Sequence, residues 1–405
     1  MKIWIKYLLT ICLGIVLGMF MPMSDSFIAS IQSIAIGITL IILYPLELFS
    51  AAIGIYELHE EKRLLKVLSR AFLYSLIFIF SATILGIVIS SFAPVIRIQL
   101  GEKIGTTPGL MTIGEILPKF FPPTIIDIFV NTNFILPLFA VTLFIGLSFS
   151  SNKHAGKVML NVFESASELL WNINSFIIEI LPFLFIFIAA SVTRSLLAIK
   201  DFSNYAKLFE IILIESILYI FGIIPLVIYV KRKKRNPYKI LYGMLATGLS
   251  ALFIPHAFGS VTTGIKHLKE SLGVRRRINA TTLPLTMTFG RAGTVLISTT
   301  AFIVVLSSYS QIGLTVQSIF WILLWLPITG LLSGASANLG VLSAIAFVCS
   351  IYGRGFESGF VLLLPIALPL FLIGNLLDAL TYMTVAYCSS TGEEDVVEHE
   401  MRHFI

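Results

Sequence analysis

Lys231-Arg-Lys-Lys-Arg235, a mostly apolar stretch over 240–272 interrupted at Pro255-His-Ala-Phe-Gly-Ser260, and then Lys266, Lys269 and Arg275-Arg-Arg277 form the segment on which the fold turns. Lys and Arg accumulate on the cytoplasmic side of a membrane, so both flanks call for the same side. A single crossing does not satisfy that demand. The Pro-Gly interruption places a turn at the midpoint, and two arms of about 15 residues are too short to cross roughly 30 Å of hydrocarbon comfortably. A re-entrant helical hairpin meets all three conditions. Two kinked ordinary crossings are the alternative, and they must bury the basic flanks.

Working outward, the rest of the chain is equally apolar. Of 405 residues, 57% are hydrophobic and 12% charged, with mean hydropathy +0.94, which lies outside the range of soluble globular chains. Apolar blocks near 5–23, 29–56, 69–95, 131–150, 162–193, 205–230, 278–307 and 358–390 read as eight spans. The net charge of +6 comes in clusters and reads as topology, with no nucleic acid as partner. Lys2 and Lys6 place the N-terminus in the cytoplasm. The turn at 22–28 carries no Lys or Arg, while Lys62, Arg63, Lys66 and Arg70 and then Lys153 and Lys157 mark the inside again. The first apolar run imitates a signal peptide, but no small-x-small cleavage pattern follows it, so it is read as an uncleaved span. Cys12, Cys349 and Cys388 all sit in apolar segments and imply no disulfide framework.

A second interrupted block, 314–352, mirrors the first. Its entry, Ser307 to Gly313, has no Lys or Arg, its exit only Arg354, and its centre reads Ser333-Gly-Ala-Ser-Ala-Asn338. Backbone freed at membrane depth is tolerated where protein or a water-filled cavity covers it. The expected fold is an all-α membrane protein of eight transmembrane helices plus two re-entrant hairpins entering from opposite faces. Such an inverted repeat ordinarily places a solute site at the bilayer midplane.

Thr282-Leu-Pro-Leu-Thr-Met-Thr-Phe-Gly-Arg-Ala-Gly-Thr-Val-Leu296 resembles the seventh span of the dicarboxylate/amino acid:cation symporters, the glutamate-transporter family. Leu136-Pro-Leu-Phe-Ala-Val-Thr-Leu-Phe-Ile-Gly146 and Glu179-Ile-Leu-Pro182 are similar to two further signatures of that family, and the order of spans and hairpins matches across almost the whole chain. The resemblance implies a homotrimer in the inner membrane with both termini cytoplasmic. It implies scaffold spans over 1–70 and 97–200, the latter including an extracellular loop, and a moving transport unit. That unit comprises span three (71–96), span six (201–236), the first hairpin (237–277), span seven (278–310), the second hairpin (311–355) and span eight (356–392), with a cytoplasmic tail at 393–405. It also implies a secondary active transporter moving amino acids or dicarboxylates with Na+ or H+ as coupling ion, no cofactor and no enzymatic activity.

Against the family pattern, the seventh-span Asn and Asp that help hold sodium become Gly290 and Ala292, and Ser75-Leu-Ile-Phe-Ile-Phe-Ser81 lacks the hydroxyl cluster of that site. In the eighth span Asp378 stays acidic. The amino-group Asp becomes Tyr382, the carboxylate-binding Arg becomes Val385, the Asn becomes Ser389, and the cation-holding Asp becomes Glu393. The bidentate fork for a carboxylate is therefore missing from its usual place. Arg291, at the midpoint of the seventh span, supplies a replacement charge or else pairs with Asp378 or Glu393 as a structural bridge.

The candidate substrate residues are thus His256, Gly259, Ser260, Arg291, Thr294, Ser333, Ser336, Asn338, Asp378, Tyr382 and Ser389, and the candidate cation-coupling residues Asp378, Glu393 and Glu215. His256 either donates to a solute or caps its own turn. Glu47, Glu210 and Glu215 are candidates for a proton relay, or lie at helix interfaces. Helix N-termini beyond each tip present positive dipole ends to an anion. His399-Glu-Met-Arg-His403 matches the zinc-protease pattern H-E-x-x-H, but it stands outside the membrane block with no evident third ligand. Without a Gly-rich phosphate loop, an ATP-driven pump is disfavoured. A proton-coupled or uncoupled carrier of another solute, and a relative that has lost transport, remain as alternatives.

Overall fold

The computed structural model describes residues 1–20, 25–94, 96–98, 124–130, 135–151, 153–199, 202–232, 235–309, 314–332, 340–353, 355–390 and 395–405. Among these the regular structure is helical: α1 (Ile3–Phe20), α2 (Asp25–Glu60), α3 (Leu64–Phe92), α4 (Ile125–Val130), α5 (Leu136–Ser151), α6 (Lys153–Leu197), α7 (Ala206–Leu218), α8 (Ile224–Lys231), α9 (Pro237–Tyr242), α10 (Leu245–Phe253), α11 (Val261–Glu270), α12 (Arg276–Phe289), α13 (Ala292–Tyr309), α14 (Val316–Leu332), α15 (Gly340–Tyr352) and α16 (Ala367–Ser389).

Among the described residues, seven helical runs are long and apolar enough to cross a membrane. The expected fourth span is present as α5, whose 16 residues reach only about 24 Å at 1.5 Å per residue. The runs differ in how deeply they sit. The most apolar window of Arg276–Tyr309 is 94% buried, against 33% for α1 and for α2. This run, α12 and α13, is therefore the axis of the molecule, packed by α3, α15 and α16, while α1 turns Leu9, Leu13 and Val16 outward.

Small residues set the closest helix approaches, as expected where lipid gives no hydrophobic drive. Gly14 and Gly18 of α1 lie on the backbone of α6, and a Cβ at Gly18 would stand 2.7 Å from the Ala190 carbonyl. On α13, a Cβ at Gly293 would meet the Leu377 side chain and come within 2.6 Å of the Asp378 amide nitrogen.

Two short helix pairs interrupt the long runs. In the first, α10 and α11 have nine and ten residues, about 14–15 Å each. Arg235 before the pair bonds the Val396 carbonyl (3.4 Å), and the Arg275 amide after it bonds the Asp395 carbonyl (3.0 Å). The pair thus begins and ends at one end of the bundle, the basic one. In the second, α14 and α15 pack together with Trp321 on Tyr352 (4.9 Å between ring centres) and both against Phe302. Its outer ends lie at the other end, where Tyr309 meets Phe356 (5.6 Å). The tip of the second pair, 333–339, lies outside the described residues.

Prolines open carbonyls that other elements close. Pro225 has no N–H for the carbonyl of Phe221; Tyr238 Oη donates to it at 3.3 Å. This lies at a π-helical turn, Tyr219–Ile223, a local widening often found at functional sites.

Candidate functional site

The site begins with a break in the axis. α12 ends at Phe289 and α13 starts at Ala292, leaving Gly290 and Arg291 between them. The Gly290 amide still bonds the Thr286 carbonyl (2.7 Å) and the Ala292 amide turns back onto the Gly290 carbonyl (2.8 Å). Only glycine fits the first of these positions: a Cβ there would stand 2.5 Å from the Thr286 carbonyl and 3.1 Å from Ser75 Oγ. The turn swings Arg291 into the core, where 3% of it is exposed. Its Nε donates to the Met287 carbonyl (3.4 Å), and its guanidinium stands 5.8 Å from the centre of the Phe258 ring, within range of a cation–π contact.

Arg291 shares a small cavity with Asp378, Tyr382 and Asn375 of α16, Thr286, Met287 and Gly290 of the break, and Ala257 and Phe258 of the first tip. Asp378 accepts the Thr294 amide on Oδ1 (3.0 Å) and the Thr294 hydroxyl on Oδ2 (2.6 Å), so the Asp378 carboxylate caps the start of α13 from α16. Tyr382 is buried, with its hydroxyl reaching toward the Ser260 carbonyl (3.5 Å).

The first tip is built from backbone turns: His256 to the Ile254 carbonyl (2.8 Å), Gly259 to the His256 carbonyl (3.0 Å) and Val261 to the Phe258 carbonyl (3.2 Å). His256 is buried, and its Nδ1 accepts the Phe258 amide at 3.2 Å. The imidazole thus caps its own turn, and the other ring nitrogen is left for any further contact. A Cβ on Gly259 would press on Ile254 at 2.7 Å. Among the described residues the Ser260 hydroxyl, fully buried at the start of α11, has no hydrogen-bond partner, nor does Ser75 Oγ beside the break.

Asn375 is the site residue that the sequence reading missed. Its Nδ2 donates to the carbonyls of Ala251 (2.9 Å) and Ile254 (3.3 Å) and approaches that of His256 (3.5 Å). The helical partner of Ala251 would be the amide of residue 255, which is proline and has none. An amide on α16 therefore replaces the donor that the tip proline lacks. A buried Asn within an apolar span was the available signal.

The other expected residues fall elsewhere. Glu215 is fully buried on α7, with both carboxylate oxygens 2.7 Å from the Thr300 hydroxyl of α13, four residues ahead of the start of the π-helical turn at Tyr219. Ser389 donates to the Val385 carbonyl of its own helix (2.6 Å) and stands eleven residues beyond Asp378, about 16 Å along the axis. Glu47 is buried on α2 and Glu210 exposed on α7. Ser333, Ser336, Asn338 and Glu393 lie outside the described residues. The H-E-x-x-H segment does not form one helix face. Glu400 is extended and only Met401–His403 make a short 3-10 turn, so His399 and His403 lack the i, i+4 relation on which a zinc pair depends.

The model of the sodium:dicarboxylate symporter family matches residues 3–388, and the chain belongs to that family. Over 152 residues it is 28% identical to excitatory amino acid transporter 4 of Mus musculus, a match covering 37% of this chain. That match spans 27% of the relative, about a quarter of its length. Membership makes the chain a multi-pass membrane protein of a transporter family.

Proposed function

We propose that this protein is a cation-coupled secondary transporter of the inner membrane, moving a small organic solute of the amino acid or dicarboxylate type by alternating access. The observation that carries the reading is the break at Gly290–Arg291. It brings a buried guanidinium into one cavity with an acidic residue, a phenol and the first tip. A guanidinium in a low-dielectric cavity recognises a carboxylate through paired N–H donors, and the start of α11 adds its positive dipole end.

In this reading α10–α11 and α14–α15 are re-entrant hairpins, supported by arm length and by the opposite ends at which the two pairs open. The second hairpin is the outer gate, and the solute rests between the tips and the break. Ser260, Arg291, Asp378 and Tyr382 are the solute-facing residues within the described part. His256 and Gly259 shape the tip. Thr294 acts through Asp378. The unit carrying the site slides against a scaffold of α1, α2, α5 and α6, with three copies assembling through the scaffold and both termini in the cytoplasm.

Sodium is the coupling ion that the family's description names. The break offers it backbone oxygens and Ser75 Oγ, because Gly290 and Ala292 bring no side-chain oxygen. A second reading, proton coupling, rests on Glu215. A carboxyl buried between α7 and α13 with one hydroxyl as partner is suited to exchange a proton as the helices move.

Uptake into proteoliposomes across a panel of amino acids and dicarboxylates, with imposed sodium or proton gradients, tests the proposal. Gradient-dependent uptake of at least one carboxylate-bearing solute is expected. No gradient-dependent uptake of any panel member would count against it.

A further inference from the structure

Residues 395–405 are anchored near both ends, at Asp395, Val396 and Phe404, although 397, 398 and 400–403 are exposed. Asp395 is fully buried and forms ion pairs with Arg63, at the turn between α2 and α3, and with Arg277, at the start of α12 (3.2 Å). Glu61 completes the cluster, pairing with Arg277 and with Arg63 (2.9 Å). Among the described residues the cluster pairs Arg63 and Arg277 with Glu61 and Asp395, and Asp395 is the member brought by the tail.

The backbone is fastened as well. The Arg275 amide donates to the Asp395 carbonyl (3.0 Å) and the Val397 amide to the Gly273 carbonyl (2.8 Å), around an antiparallel bridge between Val274 and Val396. Gly273 has φ +67, and a Cβ there would collide with the Val397 carbonyl, so glycine is required both by conformation and by the approach of the tail. Farther along, Phe404 is buried and stacks on Tyr242 (6.1 Å, 21°). Lys2 of the first span donates to the Met401 carbonyl (3.0 Å).

These contacts fall on both sides of the division between scaffold and transport unit. Lys2, Glu61 and Arg63 belong to the first two spans and the turn after them. Tyr242, Gly273, Val274 and Arg275 flank the first helix pair, and Arg277 lies at the start of α12. We propose that residues 395–405 are a strap that latches the transport unit to the scaffold in the arrangement described, and that the Asp395–Arg63 contact must open before the unit moves. The inference rests on the sliding-unit reading above, and its test needs no solute.

Dyes on Leu169→Cys (α6) and Tyr229→Cys (α8), in a Cys12→Ser background of the full chain in liposomes, report the scaffold-to-unit distance by single-molecule energy transfer. The parent is expected to show one dominant distance. Arg63→Gln, which leaves Asp395 its Arg277 partner, is expected to raise a second distance about tenfold in population, as is deletion of 395–405. A distribution unchanged within twofold in both variants overturns the strap. If the deletion fails to fold, Arg63→Gln alone decides. Failure of uptake with a shifted distance distribution would instead overturn the transport reading and leave the strap standing.

Discussion

Replacing Asn375 by alanine probes the link between α16 and the first tip. The amide has two protons to donate, and the two shortest contacts are Ala251 and Ile254. The Ile254 and His256 carbonyls also accept backbone amides, from His256 and Gly259. Ala251 has lost its helical donor to Pro255, so it is the acceptor left bare. A buried acceptor without a partner costs about 1–3 kcal/mol, and the middle of that range is roughly a thirty-fold shift toward an open tip. Hydrogen exchange at the Gly259 and Val261 amides reads that opening directly, and it is expected to accelerate by about that factor in Asn375→Ala. Asn375→Asp should be worse, since it turns a donor into an anion facing three carbonyls. Pro255→Ala should recover part of the loss, because an N–H at 255 lets α10 continue by a turn and serve Ala251 itself. Exchange within twofold of the parent in Asn375→Ala, or no recovery by the second change, would refute the reasoning.

Arg291→Gln is expected to lower uptake of a carboxylate solute about tenfold or more, with Arg291→Lys restoring only part because an ammonium lacks the planar fork. Uptake restored by exchanging the charges, Arg291→Asp with Asp378→Arg, would assign Arg291 to a structural bridge instead. Gly293→Ala should cost roughly 1–3 kcal/mol through overpacking against α16, seen as a lower melting temperature. Gly37→Ala, where nothing lies within 4 Å of the new Cβ, should be neutral or raise it through helix propensity. Glu215→Gln keeps a partner for Thr300 but carries no exchangeable charge. If protons drive transport, this variant loses proton-driven accumulation while solute exchange persists; under sodium coupling, sodium-driven uptake is retained.

The helix runs and the two interrupted blocks were legible because each has a local signature: apolar length, charge at the flanks, or helix-breaking residues inside an apolar run. The family followed from the stretch Thr282 to Leu296. The Asn375 clamp was not legible. Its purpose exists only because Pro255, far away in the chain, lacks an N–H and packs beneath it. The strap was hidden for a similar reason: Asp395 reads as one charge in a polar tail until the turn at Arg63 and the start of α12 are brought beside it. Ser389 was placed by alignment register, whereas helix geometry carries it away from the cavity and its hydroxyl bonds its own backbone. Seven of the eight expected spans are long enough to cross among the described residues, and the segment expected as the fourth is the shorter apolar helix α5.

The central claim is that the cavity beneath the first tip holds the solute. Ala257 lines that cavity, and of the native cysteines only Cys12 is exposed, so Ala257→Cys in a Cys12→Ser background gives one reactive thiol at the site. Its modification by a membrane-impermeant thiol reagent, measured with and without each transported solute, is the direct test. The account predicts that modification abolishes uptake and that the transported solute slows it in proportion to its occupancy. Modification that is indifferent to every transported solute and leaves uptake intact would contradict it.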